Sequence, residues 1–348
     1  MSKELTTGRS DEAGALTARL SSFVRAFEGR RVAVVGDLVA DQFLYGEISR
    51  VSREAPVFIL RHEHTDTVPG GAANCAANLA ALGARASIVG TVGRDETGRA
   101  LLERLRAAGV ETSGVLELDG ARTTTKVRIL AGQAHSTRQQ VIRVDYEGAP
   151  LAPQAPLHEE LAARLRDSSR DADACVISDY NYGVAGPREC EVIREAVAAR
   201  GAHALVDSRF RLTEFGGFTS ATPNEDEVEQ LVGRRLGDRA ALEQAGRELR
   251  ERLNFPSLLV TRGPEGMLLL QANAEPLHLR AVGAREAVDV TGAGDTVIAA
   301  YALALASGAS FADAARLANH AGGLVVMKRG TASVTPRELL ASLEDGES

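Results

Sequence analysis

Short β-branched apolar runs alternate with helical stretches along most of this chain, and that alternation constrains the fold more than any other feature. Residues 31–36 (RVAVVG), 86–93, 174–178, 204–207 and 257–261 each read as a strand buried on both faces. Residues 70–82 (GGAANCAANLAAL) read as a small-residue helix able to lie close to a sheet. Further helical patterns cover 101–108, ended by Gly109, and 189–199, ended by Gly201, then 225–232 and 240–253. This order predicts an α/β fold: a doubly wound, mostly parallel sheet flanked by helices. Leu16, Leu20, Phe23 and Phe27 recur at helical spacing, which puts an amphipathic helix from about residue 12 to 28, within an N-terminal segment 1–29.

Two segments break the alternation. Residues 42–64 hold strand-like pieces and no helix, and 123–146 read as a hairpin in which Val127 and Ile129 alternate with Lys126 and Arg128. Such insertions predict a small β-sheet lid (42–65 and 119–146) on a main domain made of 30–41, 66–118 and 147–348. A chain of 348 residues has room for one large α/β domain with such an appendage.

Composition removes several function classes. A net charge of −7, with no Trp, argues against nucleic-acid wrapping and base-stacking platforms. No apolar run approaches a membrane span, so no membrane association is expected. Cys75, Cys175 and Cys190 are odd in number and widely spaced, which suits a reduced, cytoplasmic protein. The three lysines are Lys3, Lys126 and Lys328, and none follows a glycine, so a Walker A loop is excluded. His62 and His64 alternate on a lid strand without a third ligand and read as surface histidines.

The densest chemical signal is 289–296, DVTGAGDT, running into the apolar stretch VIAAYALALASG. Gly292, Ala293 and Gly294 then sit at the N-terminus of a buried helix of about 14 residues ended by Gly308. Uncovered backbone N–H groups and the helix dipole make an anion cradle there, with Asp295 in the first turn. One reading is phosphoryl transfer, with the amides holding the moving group and Asp295 taking the acceptor's proton. The other is a first-turn acid complementing the dipole beside glycines needed for close packing. On the octapeptide alone the two stand level.

DVTGAGDT resembles the C-terminal signature of the ribokinase-like (PfkB) carbohydrate kinases, and Gly70-Gly71-Ala72-Ala73-Asn74 resembles their N-terminal signature. RVAVVGD with Asp37, Asp179, Thr222-Pro223-Asn224 with Glu227, and Thr261-Arg262-Gly263 follow in the family's order. The resemblance runs from about residue 30 to 340, and GDLVADQFLYGEISRVSREAPV and SDY are most similar to the family's heptose 7-phosphate kinases. Some relatives continue into a nucleotidyltransferase domain, and with no H-x-G-H here the resemblance implies the kinase half alone.

The resemblance implies an enzyme that uses ATP and Mg²⁺, with Asp295 and the Gly292–Ala293–Gly294 amides as the catalytic centre. It implies acceptor contacts from Asp37, Gly70, Gly71, Asn74, Asp179 and Arg209, and nucleotide contacts from Asn224, Glu227, Thr261, Gly263 and Asn319, the last beside loop 328–333. Mg²⁺ would lie near Asn224 and Glu227, chiefly through water. A monovalent cation, K⁺ in some relatives, would lie near Asp289. A homodimer through the lid is also implied. Each residue has a plainer reading: Asp37 as a loop acid, the glycines and Asn74 as helix-start residues, Asn224 to Glu227 as cap and first-turn acids.

The chain departs from the heptose kinases at two positions that carry Lys in those relatives. Here they are Tyr182 and Arg209; Arg209 can still hold a phosphate, whereas Tyr182 supplies no charge. Arg128, Arg138 and Arg143 on the lid could compensate or form a solvated face. Other sugars therefore stay open as acceptors, as does a sugar- or nucleotide-sensing protein on the same scaffold. A dinucleotide-binding dehydrogenase is rejected, because GDLVAD rather than G-x-G-x-x-G follows the first strand.

Overall fold

The computed structural model describes residues 2–132, 138–283 and 286–345, so the tip of the lid hairpin lies outside it. In chain order the helices are α1 (Ser2–Arg25), α2 (Ala72–Ala81), α3 (Glu96–Ala107), α4 (Leu157–Ser169), α5 (Pro187–Arg200), α6 (Glu225–Val232), α7 (Arg239–Arg252), α8 (Ala293–Ala306), α9 (Phe311–Val325) and α10 (Pro336–Asp345). The strands are β1 (Arg31–Gly36), β2 (Leu38–Val51), β3 (Phe58–Gly71), β4 (Arg85–Gly93), β5 (Glu111–Leu118), β6 (Thr125–Gly132), β7 (Gln139–Tyr146), β8 (Ala174–Asp179), β9 (His203–Ser208), β10 (Ser220–Ala221), β11 (Ser257–Thr261), β12 (Met267–Gln271) and β13 (Leu277–Leu279).

Nine strands form one sheet in the order β13-β12-β11-β10-β9-β8-β1-β4-β5. It is parallel from β5 to β11, and β12 and β13 add an antiparallel edge. One apolar layer joins the sheet to α2, α8 and α9 and takes in Leu20, Val24 and Phe27 from the N-terminal segment; the other joins it to α4, α5 and α7. Helices on both faces explain why the strands read as unbroken apolar runs. This is the doubly wound, mostly parallel sheet expected from the alternation, and it agrees with the ribokinase-like fold that the resemblance implied.

The lid is a separate four-stranded sheet, β3-β2-β6-β7. Its strands reach further than the helix-free segments suggested. β2 starts at Leu38, one residue after β1 ends, and pairs with β3 as far as Gly71. The lid therefore grows directly out of the core strand, and its register fixes where Asp41 and Gly70 meet.

The chain winds from β1 to β4 and β5 on one side and from β8 to β9 on the other, so β1 and β8 flank the switch point where open α/β sheets bind ligands. Asp37 ends β1 there with 1% exposure. One carboxylate oxygen accepts the N–H groups of Tyr180 and Tyr182 at 2.8 and 3.0 Å, and the other accepts Val184 N–H at 3.0 Å. Asp37 thus clamps the loop after β8. Asp37 is neither a solvated loop acid nor free to turn toward a sugar: its buried carboxylate is committed to three backbone amides.

Asp37→Ala should lower unfolding stability by on the order of 3 kcal/mol, the cost of stranding buried amides. Urea denaturation checks this, and a loss below about 1 kcal/mol would mean the loop is held by other contacts.

Candidate active site

The site grows from the start of α8. Every residue from Asp295 to Leu305 is buried, so the helix is apolar all round and only its first turn faces a cleft. Gly292 caps it at φ 75°, and a side chain there would collide with the Asn74 amide. Beyond Gly294 the space is open: the nearest atom to an added Cβ is Asp207 Oδ2 at 3.8 Å. The cradle differs by one amide from the one the sequence implied. Ala293 N–H donates to Val290 C=O at 3.2 Å, which leaves Gly292, Gly294 and Asp295 to offer amides toward an anion.

Asp295 is 2% exposed, and burial pushes its carboxyl up to about 7 against two hydrogen bonds that oppose the shift. Asn74 Nδ2 donates to Oδ2 at 2.9 Å, and Tyr180 OH donates to Oδ1 at 2.9 Å. A carboxylate that titrates near neutrality at a helix N-terminus can act as a general base.

Asn74 sits in the site in a different role from the expected acceptor contact. Its amide also reaches Gly292 C=O at 3.4 Å and its oxygen accepts from Asn78, so the side chain is committed to holding α8 against α2. Asp179 likewise turns away from the cleft, with a fully buried side chain bound by Ser208 and Arg211. Gly70 and Gly71 end β3 where a Cβ would meet Asp41 Oδ2 at 2.6 Å and Asp37 C=O at 2.7 Å, so both are required by close approach.

Three side chains came to the site without being singled out. Asp41, 5% exposed and paired with Arg128, raises Asp295 through its charge. Burial, followed by the charges of Glu227 and Asp295, pushes Asp207 well up. Tyr180 is the third. Asp41 and Asp207 carried a readable signal, an acid inside an otherwise apolar strand segment. Tyr180 stood within SDY, but nothing in the sequence shows that it reaches Asp295.

Beyond the cradle lies a cavity of about 310 Å³ lined by Thr261, Gly263, Met267, Val282, Asn319 and Val326 among others. Thr261, Gly263 and Asn319 therefore line one cavity, with Asn319 fixed by Nδ2 donating to Arg280 C=O at 2.7 Å. Loop 328–333 does not line this cavity. Gly330 N–H donates to Asp289 Oδ2 at 2.9 Å, which ties the loop to the start of DVTGAGDT. Burial raises Asp289, but hydrogen bonds from Thr291 and Gly330 outweigh it and hold the carboxyl below its usual range. The apolar walls suit a purine ring, and the open space over Gly263 and Gly294 suits phosphates, so the residues fit ATP.

Asn224 and Glu227 form a reciprocal cap on α6, with Asn224 N–H donating to Glu227 Oε2 at 2.9 Å and Glu227 N–H to Asn224 Oδ1 at 2.8 Å. Burial raises Glu227 most, against Asn224 and Arg209, which lower it. No cluster of three or more His, Cys, Asp or Glu forms a metal cage among the described residues. Glu227 beside Asp207 fits Mg²⁺ held mainly by waters and phosphates. Arg209 is exposed, stacks 5.6 Å over Phe210 and makes no ion pair among the described residues, while its charge reaches Tyr180 and Glu227. The lid arginines are spent: Arg128 on Asp41, Arg138 on Glu63 and Arg143 on Asp145.

A sequence profile for the pfkB family of carbohydrate kinases matches residues 30–338. The chain belongs to this family. It is 39% identical over 334 residues to "Bifunctional protein HldE" of Desulfatibacillum aliphaticivorans, covering 94% of this chain and 66% of that protein. It is 42% identical over 325 residues to the protein of that name from Caulobacter vibrioides, covering 92% and 65%. The chain thus spans just under two thirds of the length of these relatives. Among solved structures, Arabidopsis thaliana ribokinase complexed with ribose and ATP superposes with a TM-score of 0.69 at 21% identity, over 91% of this chain and 99% of that one. Escherichia coli phosphofructokinase-2 in complex with potassium gives 0.72 at 21%, over 91% and 99%. At that identity the likeness concerns the fold, and the family match places this chain among the carbohydrate kinases.

Asp295→Asn should lower kcat by about 10²–10⁴-fold, with stability changed by no more than about 1 kcal/mol. The unprotonated carboxylate is the active form, so wild-type kcat/KM should rise with pH through about 7. A steady-state pH series checks both, and Asp295→Asn retaining over about a tenth of the rate would remove Asp295 as the base.

Proposed function

We propose that this PfkB kinase transfers the γ-phosphoryl group of ATP to the anomeric hydroxyl of D-glycero-β-D-manno-heptose 7-phosphate, giving the 1,7-bisphosphate. The observation that carries the transfer step is Asp295, buried at an amide-bearing helix start and titrating near neutrality. The heptose assignment rests on the resemblance of residues 36–57 and SDY to such kinases. In the step, the acceptor oxygen bonds to phosphorus, the bond to the ADP oxygen breaks, and the acceptor's proton passes to Asp295. The amides of Gly292, Gly294 and Asp295 face the transferring group. Mg²⁺, held near Glu227 and Asn224, supplies charge neutralisation on the phosphates. A monovalent cation near Asp289 and a cytoplasmic location belong to the same reading.

Arg209 is the cation assigned to the acceptor's distal phosphate, being unpaired at the mouth of the site. A second cation, Arg122, also lacks an ion pair among the described residues and lines a separate cavity of about 440 Å³ with Asp37 and Tyr182. Arg209→Ala should raise KM for the heptose phosphate by about 10–100-fold and leave KM for ATP within a few-fold, the expected loss for a charge-assisted bond. Initial rates of ADP release across heptose 7-phosphate, fructose 6-phosphate, ribose and fructose check this and the acceptor together. A larger effect from Arg122→Ala would move the phosphate to the second cavity, and best turnover with an unphosphorylated sugar would overturn the heptose assignment.

The lid also leaves Val51, Phe58, Val141, Ile142 and Tyr146 exposed, which favours a homodimer through this sheet. Sedimentation should give a dimer that Phe58→Asp with Ile142→Asp converts to a monomer. A wild-type monomer at micromolar concentration would dismiss the lid interface.

A further inference from the structure

We propose that Tyr180 is a positioning residue that keeps Asp295 ionised and aimed at the acceptor. The inference rests on the kinase reading for what Asp295 does, and on geometry for the rest. Tyr180 follows β8 directly. Its OH donates to Asp295 Oδ1 at 2.9 Å, while Asn74 Nδ2 donates to Oδ2 at 2.9 Å. Each carboxylate oxygen therefore has one fixed donor and one lone pair left for a substrate hydroxyl.

The backbone of Tyr180 is fixed too, because its N–H is held by Asp37 at 2.8 Å. Its ring lies against the end of the lid strand β3: Tyr180 Cδ2 would stand 3.4 Å from a Cβ on Gly71, a residue at φ 56° that joins β3 to α2. The Gly71 backbone therefore helps to fix the ring whose hydroxyl holds the base.

The groups around Asp295 divide by sign. Asn74 and Cys75 face it from α2, Asp41 from β2 with its partner Arg128, Asp207 from β9, and Tyr180 from the loop after β8. Arg209, past β9, acts on Tyr180. Burial and the charge of Asp41 favour the protonated acid, whereas the Asn74 and Tyr180 hydrogen bonds favour the carboxylate. Asn74 also braces Gly292 and Asn78, so its removal would disturb the packing of α8 on α2. Tyr180 can lose its hydroxyl with its ring and backbone contacts intact.

The phenol is a donor and not a proton relay. Burial, then the charges of Asp295 and Asp207, pushes Tyr180 well above the ordinary tyrosine value, so it keeps its proton when the acceptor's proton arrives on Asp295.

The test is Tyr180→Phe, read first without substrate. An infrared titration of the Asp295 carboxyl, assigned by its loss in Asp295→Asn, should show the midpoint raised by about one to two units, the worth of a hydrogen bond to a charged group. The acid limb of kcat/KM should move the same way, so the rate loss at pH 6 exceeds that at pH 9 by about tenfold or more. Tyr182→Phe, whose hydroxyl donates to Glu147, should leave the carboxyl midpoint in place. An unmoved midpoint in Tyr180→Phe, with equal loss at every pH in a variant that melts like wild type, would overturn the proposal. If the midpoint moves but no sugar stimulates ADP release by the wild type, the proposal for Tyr180 stands and the acceptor assignment fails.

Discussion

A carboxylate placed at the mouth of an otherwise apolar helix governs this molecule. α8 is buried from Asp295 onward, so its position is set by packing against α2 and α9 and cannot adjust to the chemistry. The helix start supplies amides for an anion, and burial lifts the acid toward neutrality. A charged group in that setting is costly unless it is hydrogen-bonded. Asn74 and Tyr180 meet that requirement, and they come from opposite sides: α2, which follows the lid, and the loop after β8. The base therefore depends on three parts of the chain being in place together.

The switch point between β1 and β8 ties those parts together. Asp37 gathers the amides of Tyr180, Tyr182 and Val184, and Gly71 packs on the Tyr180 ring. Arg211 and Ser208 fix Asp179 immediately before Tyr180. Most of the acids near the cleft thus serve the framework. Their burial reflects a need to hold backbone where strands end and ladder hydrogen bonds stop.

Several of the lid's cations are paired within the lid. Lys126 pairs with Asp145 and Glu147 and lies 3.3 Å from Tyr182 OH, and Arg128 is held by Asp41 and sits over Phe43. These paired cations are held by fixed hydrogen bonds, whereas Arg122, at the base of the lid, and Arg209, past β9, are exposed and make no ion pair among the described residues.

By itself the sequence determined the layered α/β architecture, because strands buried on both faces must be apolar throughout and helices must pack periodically. It determined the glycine-rich start of α8, because that lies in one short segment whose local geometry follows from glycine and a helix start, whereas Thr261, Gly263 and Asn319 are named by the family resemblance alone and Asn319 lies within α9. It left out α4, α9, α10 and the strands β5, β12 and β13, whose patterns are weaker or shorter. Only the tertiary structure decided which acids are chemical and which are structural. Asp37 and Asp179 read as ligands along the chain, yet in space their oxygens are filled by backbone amides, Ser208 and Arg211. Asp41 and Asp207 show along the chain only as acids in apolar strand segments and Tyr180 as part of SDY, yet the winding of β1, β8 and β9 about the switch point brings them around Asp295. Those pairings join residues as far apart as 221 positions, as between Asn74 and Asp295, and no local pattern encodes a contact whose partner is chosen by how the sheet closes.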